Sequence, residues 1–135
     1  STLSSFKAPE NDNRVITLCR PFVVIPKTSY SSPVTLPLGL AYVGGVLEKA
    51  NYKKEDIDTF IFHQASAVVL NKLKKKLDIL DLQWFNQIEN IGNTVSATIP
   101  IAISILQNEN KFSYSKKYLL MGFGVGLSVA GCIIS

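Results

Sequence analysis

The end of the chain constrains its fold most. Residues 117–124, KYLLMGFG, and 127–135, LSVAGCIIS, are two apolar runs separated by a glycine-rich step. So short a connection makes two strands antiparallel neighbours. Everything upstream must then supply a sheet for them to join and layers to cover it. TFIFH, residues 59–63, is a short apolar run bounded by polar residues and reads as a buried strand. VITLCR, residues 15–20, reads as another on its β-branched content. Segments of helical period lie between these runs. Leu40, Val43, Val46 and Leu47 share one face of residues 38–50, and Asn51 is a plausible stop. In residues 66–77, Val69, Leu70, Leu73 and Leu77 point inward, with Lys72, Lys74, Lys75 and Lys76 outward. Ile101, Ala102, Ile105 and Leu106 line a third helix, in which Pro100 fits only near the start.

The remainder is less regular. Residues 82–90, LQWFNQIEN, read ambiguously, as a short strand at most, and KKEDID, residues 53–58, as a solvated turn. Pro21, Pro26, Pro33 and Pro37 bar a helix across residues 21–37 and predict a long irregular connection. The expected class is α/β in one domain, 1–135. It is a mixed, mostly parallel sheet with helices on its faces and an antiparallel final strand.

Composition narrows the function classes. No apolar run reaches the length of a membrane span, and the N-terminus lacks the basic-then-apolar pattern of a signal peptide. Two cysteines, Cys19 and Cys132, argue against a disulfide framework and for a cytoplasmic location. A net charge of +4 permits an acidic or phosphate-bearing partner. Basic residues are not interleaved with aromatics along one face, so nucleic acid is not expected. Charged residues are sparse at 18%, which suggests surface that packs on something else.

In open α/β sheets, sites gather at the carboxyl ends of strands. His63, the only histidine, stands at such an end, and so does IGNTVSA, residues 91–97. Two loops at one sheet edge would bring the ring of His63 to face Asn93. Each residue alone has a plainer reading. A lone histidine is more often packed and bonded to backbone, and Asn93 in Gly-Asn-Thr commonly serves a turn or cap. Gly122, Gly124 and Gly126 suit a hairpin needing positive φ, or backbone N–H groups facing a reacting oxygen. Cys132 reads as a small buried hydrophobe. Cys19, His63 and Asn93 follow the chain order of papain-like sites. However, Cys19 sits in strand-to-loop sequence rather than at a helix N-terminus, where a thiolate is stabilised.

Taken in order, HQAS after a strand, GNTVSATIP at a helix start and GFGVG before the last strand resemble the C-terminal half of β-ketoacyl-acyl-carrier-protein synthase III, in the thiolase superfamily. The resemblance covers residues 38–135 and is thin over the divergent segment 1–37. It implies a thiolase-like half. His63 and Asn93 match the histidine and asparagine of a Cys–His–Asn triad, and the backbone N–H of Val125 matches an oxyanion-hole donor. Phe123 matches a position lining the acyl pocket. Fixed N–H donors of this kind stabilise the enolate formed when malonyl-carrier protein loses CO₂.

The implied substrates are acyl-CoA and malonyl-acyl-carrier protein, with neither cofactor nor metal. The implied partners are an N-terminal half carrying the nucleophilic cysteine, the acyl-carrier protein, and a second copy in a homodimer. Val68 stands where the family has an arginine tied to carrier docking, so Lys72, Lys75 and Lys76 are the candidate basic surface in its place. Two alternatives stay open: a non-condensing interaction or assembly half-domain, and a related acyltransferase forming an ester or amide.

Overall fold

A computed structural model of the chain describes residues 16–19, 35–124 and 128–135. Four strands form one sheet: β1 (Ile16–Cys19), β2 (Thr59–Phe62), β3 (Tyr118–Gly124) and β4 (Ser128–Ile134), in the order β1-β4-β3-β2. β2 pairs parallel with β3, while β4 pairs antiparallel with both β3 and β1. β1, β2 and β3 therefore run one way and the final strand alone runs back, as the sequence predicts. Gly124 pairs with Ser128, so the connection is tight, and residues 125–127 within it lie outside the described residues.

The alternation of side chains across the sheet builds two cores. On one face Phe60, Phe62, Leu119, Met121 and Ile133 pack with Tyr42, Val43, Val46 and Leu47 of α1 (Thr35–Lys49) and with Leu70 and Leu73 of α2 (Ala67–Leu77). On the other, Ile61, Tyr118 and Leu120 pack with Ala102 and Leu106. These two belong to α4 (Thr98–Asn108); α3 is the single turn Ile88–Ile91. Helix α1 and β4 meet closely at Gly131. A Cβ on Gly131 would stand 2.9 Å from Val46 Cγ2 and 3.2 Å from the Leu120 carbonyl oxygen, so only glycine fits there unmoved.

The structure corrects several readings. Helix α1 begins at Thr35 and carries Pro37 within its first turn, where the missing N–H has no intrahelical partner to lose. Asn51 adopts φ 57° just beyond Lys49, so the predicted stop holds. Val69 is exposed at 42%: the inward stripe of α2 is Leu70 and Leu73 with partly buried Leu77, and Val68 and Val69 turn to solvent together. Residues 82–90 yield one parallel bridge, Phe60 to Trp84, because the chain turns into α3 soon after the Phe85 N–H reaches the Phe60 carbonyl. Within 53–58, Ile57 is buried at 1%. Lys54 Nζ donates to the carbonyls of Leu77 and Asp78 at 3.2 and 3.0 Å, closing the C-terminus of α2. Most of 21–37 lies outside the described residues.

Candidate active site

β2 ends at Phe62, and the parallel ladder continues one step as the His63 N–H donates to the Met121 carbonyl at 2.8 Å. The chain then leaves the sheet. Gln64, buried at 4%, holds this corner. Its Nε2 donates to the Phe62 carbonyl at 2.9 Å, and its Oε1 accepts from the Gln87 N–H at 3.0 Å. Sequence reasoning passed over Gln64, although its place next to the only histidine was a signal. A buried amide with both ends bonded makes the exit of β2 rigid.

Residues 92–98 form the opposite wall. Asn93 Oδ1 accepts from the Val95 N–H at 2.9 Å, an Asx turn, and Asn93 Nδ2 makes a long contact of 3.5 Å to the Ala65 carbonyl. Val95 sits at φ 54°, a left-handed conformation costly for a β-branched residue, and it is held there by bonds on both sides. Thr98, buried at 3%, donates its hydroxyl hydrogen to the Val95 carbonyl at 2.9 Å. His63 Nδ1 lies 3.1 Å from the same Thr98 Oγ1. The imidazole thus turns to Thr98 rather than to Asn93, and the two loops meet through Asn93 and Ala65.

Between these walls lies a cavity of about 220 Å³, lined by His63, Val95, Ser96, Ile99, Gly122 and Phe123. Gly122 is an ordinary β3 residue without positive φ, and its missing side chain leaves the space toward Ile99 open. Phe123 is among the lining residues and meets Phe62 edge to face, ring centroids 6.1 Å apart. Asn93 is not among the lining residues. Val125 lies outside the described residues. Lys72, Lys75 and Lys76 are exposed on α2 beside exposed Val68, whereas Lys74 is tied to Asp81, holding that carboxyl below its usual range.

Burial lowers the pKa of His63 below the ordinary 6.5. The folded chain thus prefers the neutral ring, and around and just below that pH the unfolded chain binds more protons. Stability is therefore full above the ordinary value, falls as pH drops through it, and levels off below the folded value. Denaturant midpoints measured across this range should fall toward acid, and His63→Gln should flatten that part of the profile.

Cys19 does not reach this site. Cys19 pairs with Gly131, Gly131 with Met121, and Met121 with Phe62, one row across the sheet. Three strand spacings of about 4.8 Å separate the backbones of β1 and β2, roughly 14 Å, far beyond a thiol–imidazole hydrogen bond. Among the described residues no group of three or more His, Cys, Asp and Glu side chains is placed to hold a metal. No described helix is long and apolar enough to cross a membrane.

The sequence model described as 3-oxoacyl-[acyl-carrier-protein (ACP)] synthase III C terminal matches residues 47–135. The chain belongs to this family. Beta-ketoacyl-[acyl-carrier-protein] synthase III 2 of Halalkalibacterium halodurans is 39% identical over 100 residues, covering 74% of this chain and 29% of that protein. Beta-ketoacyl-[acyl-carrier-protein] synthase III of Clostridium novyi is 36% identical over 89 residues, 66% of this chain and 28% of that protein. The chain spans under a third of the length of these relatives. Among solved structures, the 3-oxoacyl-[acyl-carrier-protein] synthase III of Aquifex aeolicus VF5 superposes with a TM-score of 0.69 at 32% identity, covering 73% of this chain and 32% of that one. OleA of Xanthomonas campestris, at 21% identity, shares the fold with a TM-score of 0.70 over 75% of this chain and 30% of its own. The synthase III fold is thus thiolase-like, and its C-terminal portion is what this chain matches.

Proposed function

We propose that this chain is one domain and supplies the C-terminal half of an active site. That site condenses an acyl thioester with malonyl-carrier protein, losing CO₂, in fatty acid or related biosynthesis in the cytoplasm. The observation that carries the reading is the cavity at the ends of β2 and β3, where the chain's only histidine opens beside Gly122 and Phe123. Family membership supports it. In this reading the nucleophilic cysteine belongs to an N-terminal half. His63 donates a hydrogen bond to the thioester oxygen as the enolate forms. Asn93 joins it once its carboxamide leaves the Asx turn, and the Val125 N–H serves the oxyanion hole. Phe123 borders the acyl group.

The partners are acyl-CoA, the acyl-carrier protein and, in the complete protein, a second copy. Lys72, Lys75 and Lys76 present the charge an acidic carrier would meet. No organic cofactor or metal is called for, because the chemistry needs only a thiolate and hydrogen-bond donors. The test is release of CO₂ from malonyl-carrier protein by the complete protein that carries this chain, given an acyl-CoA. Release coupled to formation of a 3-oxoacyl product is the expected result. Carrier binding with no CO₂ would overturn it in favour of an interaction half-domain, which exposed Val68 at the docking position favours. Ester or amide formation without CO₂ would identify the related acyltransferase instead.

A further inference from the structure

His63 lies against a hydroxyl whose hydrogen-bonding capacity is fully used. A threonine hydroxyl has one hydrogen to give and two lone pairs to receive with. Thr98 Oγ1 makes three contacts: the Val95 carbonyl at 2.9 Å, Thr94 Oγ1 at 3.2 Å and His63 Nδ1 at 3.1 Å. A carbonyl oxygen only accepts, so the single hydrogen goes to Val95. The other two contacts must then both be donated to Thr98, one from the Thr94 hydroxyl and one from His63 Nδ1–H. The reverse arrangement, with Thr98 donating to Nδ1, leaves two oxygens 2.9 Å apart with no hydrogen between them, the Val95 carbonyl keeping only its bond from the Thr98 backbone N–H.

We propose that Thr98 is a positioning residue that locks the neutral His63 ring as the Nδ1–H tautomer, so that its Nε2 lone pair is the group left for the cavity. Among the described residues no hydrogen bond occupies Nε2. The inference rests on the proposed function for its meaning. In the resting state His63 accepts a hydrogen bond from a thiol or hydroxyl entering the cavity. It donates to a thioester oxygen only as the imidazolium, after Nε2 has taken up a proton from solvent, with Nδ1–H still held by Thr98. Negative charge growing on that oxygen favours the cation. Asn93, which needs no added proton, has no such requirement.

The experiment is ¹⁵N NMR of the histidine ring in the full chain, where the single histidine makes assignment unambiguous. Above the ring's pKa, the expected pattern is a protonated, pyrrole-type Nδ1 and a pyridine-type Nε2. Thr98→Ser keeps that pattern, and Thr94→Val keeps it too, since the acceptor survives. Thr98→Val exchanges it for a predominantly Nε2–H ring; should that variant fail to fold, Thr98→Ala puts the same question. A wild-type ring carrying its hydrogen on Nε2, a Thr98 variant with the wild-type pattern, or a Thr94→Val ring that switches would each overturn the proposal. The measurement needs no substrate, so its failure is separable from failure of the CO₂ assay.

Discussion

Phe62→Ala is expected to lower the stability of the chain by about 3–5 kcal/mol, the range for emptying a buried aromatic site. Phe62 is fully buried at the end of β2 and is the hub of an aromatic cluster. Its ring meets Trp84 at 5.0 Å, Phe123 at 6.1 Å and Phe60 at 6.3 Å, all edge to face. Edge-to-face pairs of this kind add about 0.5–1.5 kcal/mol each beyond the area they bury. A domain of this size is stable by roughly 5–15 kcal/mol in total, so the loss would bring the chain near its unfolding threshold. Equilibrium denaturation in urea checks this, with Phe62→Leu as the milder comparison. A loss under about 1 kcal/mol would mean that the cluster repacks around the void. Phe123 borders the cavity as well as Phe62, so the same change should loosen the cavity wall.

His63→Ala is expected to reduce CO₂ release by the complete protein about 10²–10³-fold, the cost of removing one donor from a site that stabilises an oxyanion. The ring is only half-buried and makes a single side-chain hydrogen bond, to Thr98, so its loss should leave the fold nearly intact. The two changes therefore separate cleanly: Phe62→Ala acts on stability, His63→Ala on turnover. The measurement is the single-turnover rate of decarboxylation, with circular dichroism confirming the fold. A fall of less than about tenfold would remove His63 from the reaction and leave it a packed histidine.

How far the sequence was legible depended on whether a feature was local. The parallel direction of β2 and β3, the reversal of β4 and the stop at Asn51 all follow from period, connection length and one αL-tolerant residue. Each is a property of a few adjacent positions. Val69 was misplaced because a helical period cannot tell which edge of an apolar stripe the sheet covers. Pro37 looks like a barrier in the sequence, yet in the first turn of α1 it removes no bond. The single bridge at Trp84 depends on Phe60, distant in sequence. At the site, the position of His63 followed from strand logic, but its partner did not. Asn93 was the expected neighbour, and the residue within hydrogen-bonding distance is Thr98, thirty-five positions along the chain. A threonine opening an apolar helix is a common sight, and only its burial beside the ring gives it meaning. Gln64 carried one signal, its place next to the only histidine, but its two partners are backbone groups that no side-chain pattern announces.

The joint at Gly131 sets a limit on how this architecture can diversify. The spacing between a helix layer and a sheet is fixed there by a residue with no side chain, so a larger residue displaces α1 as a body rather than adjusting one rotamer. A combinatorial library at that position should return glycine almost alone. Gly44 and Gly45, within α1 itself, have nothing within 4 Å of where a Cβ would stand and carry no such restriction. Drift can freely rewrite Gly44 and Gly45, whereas Gly131 is tied to the distance between layers.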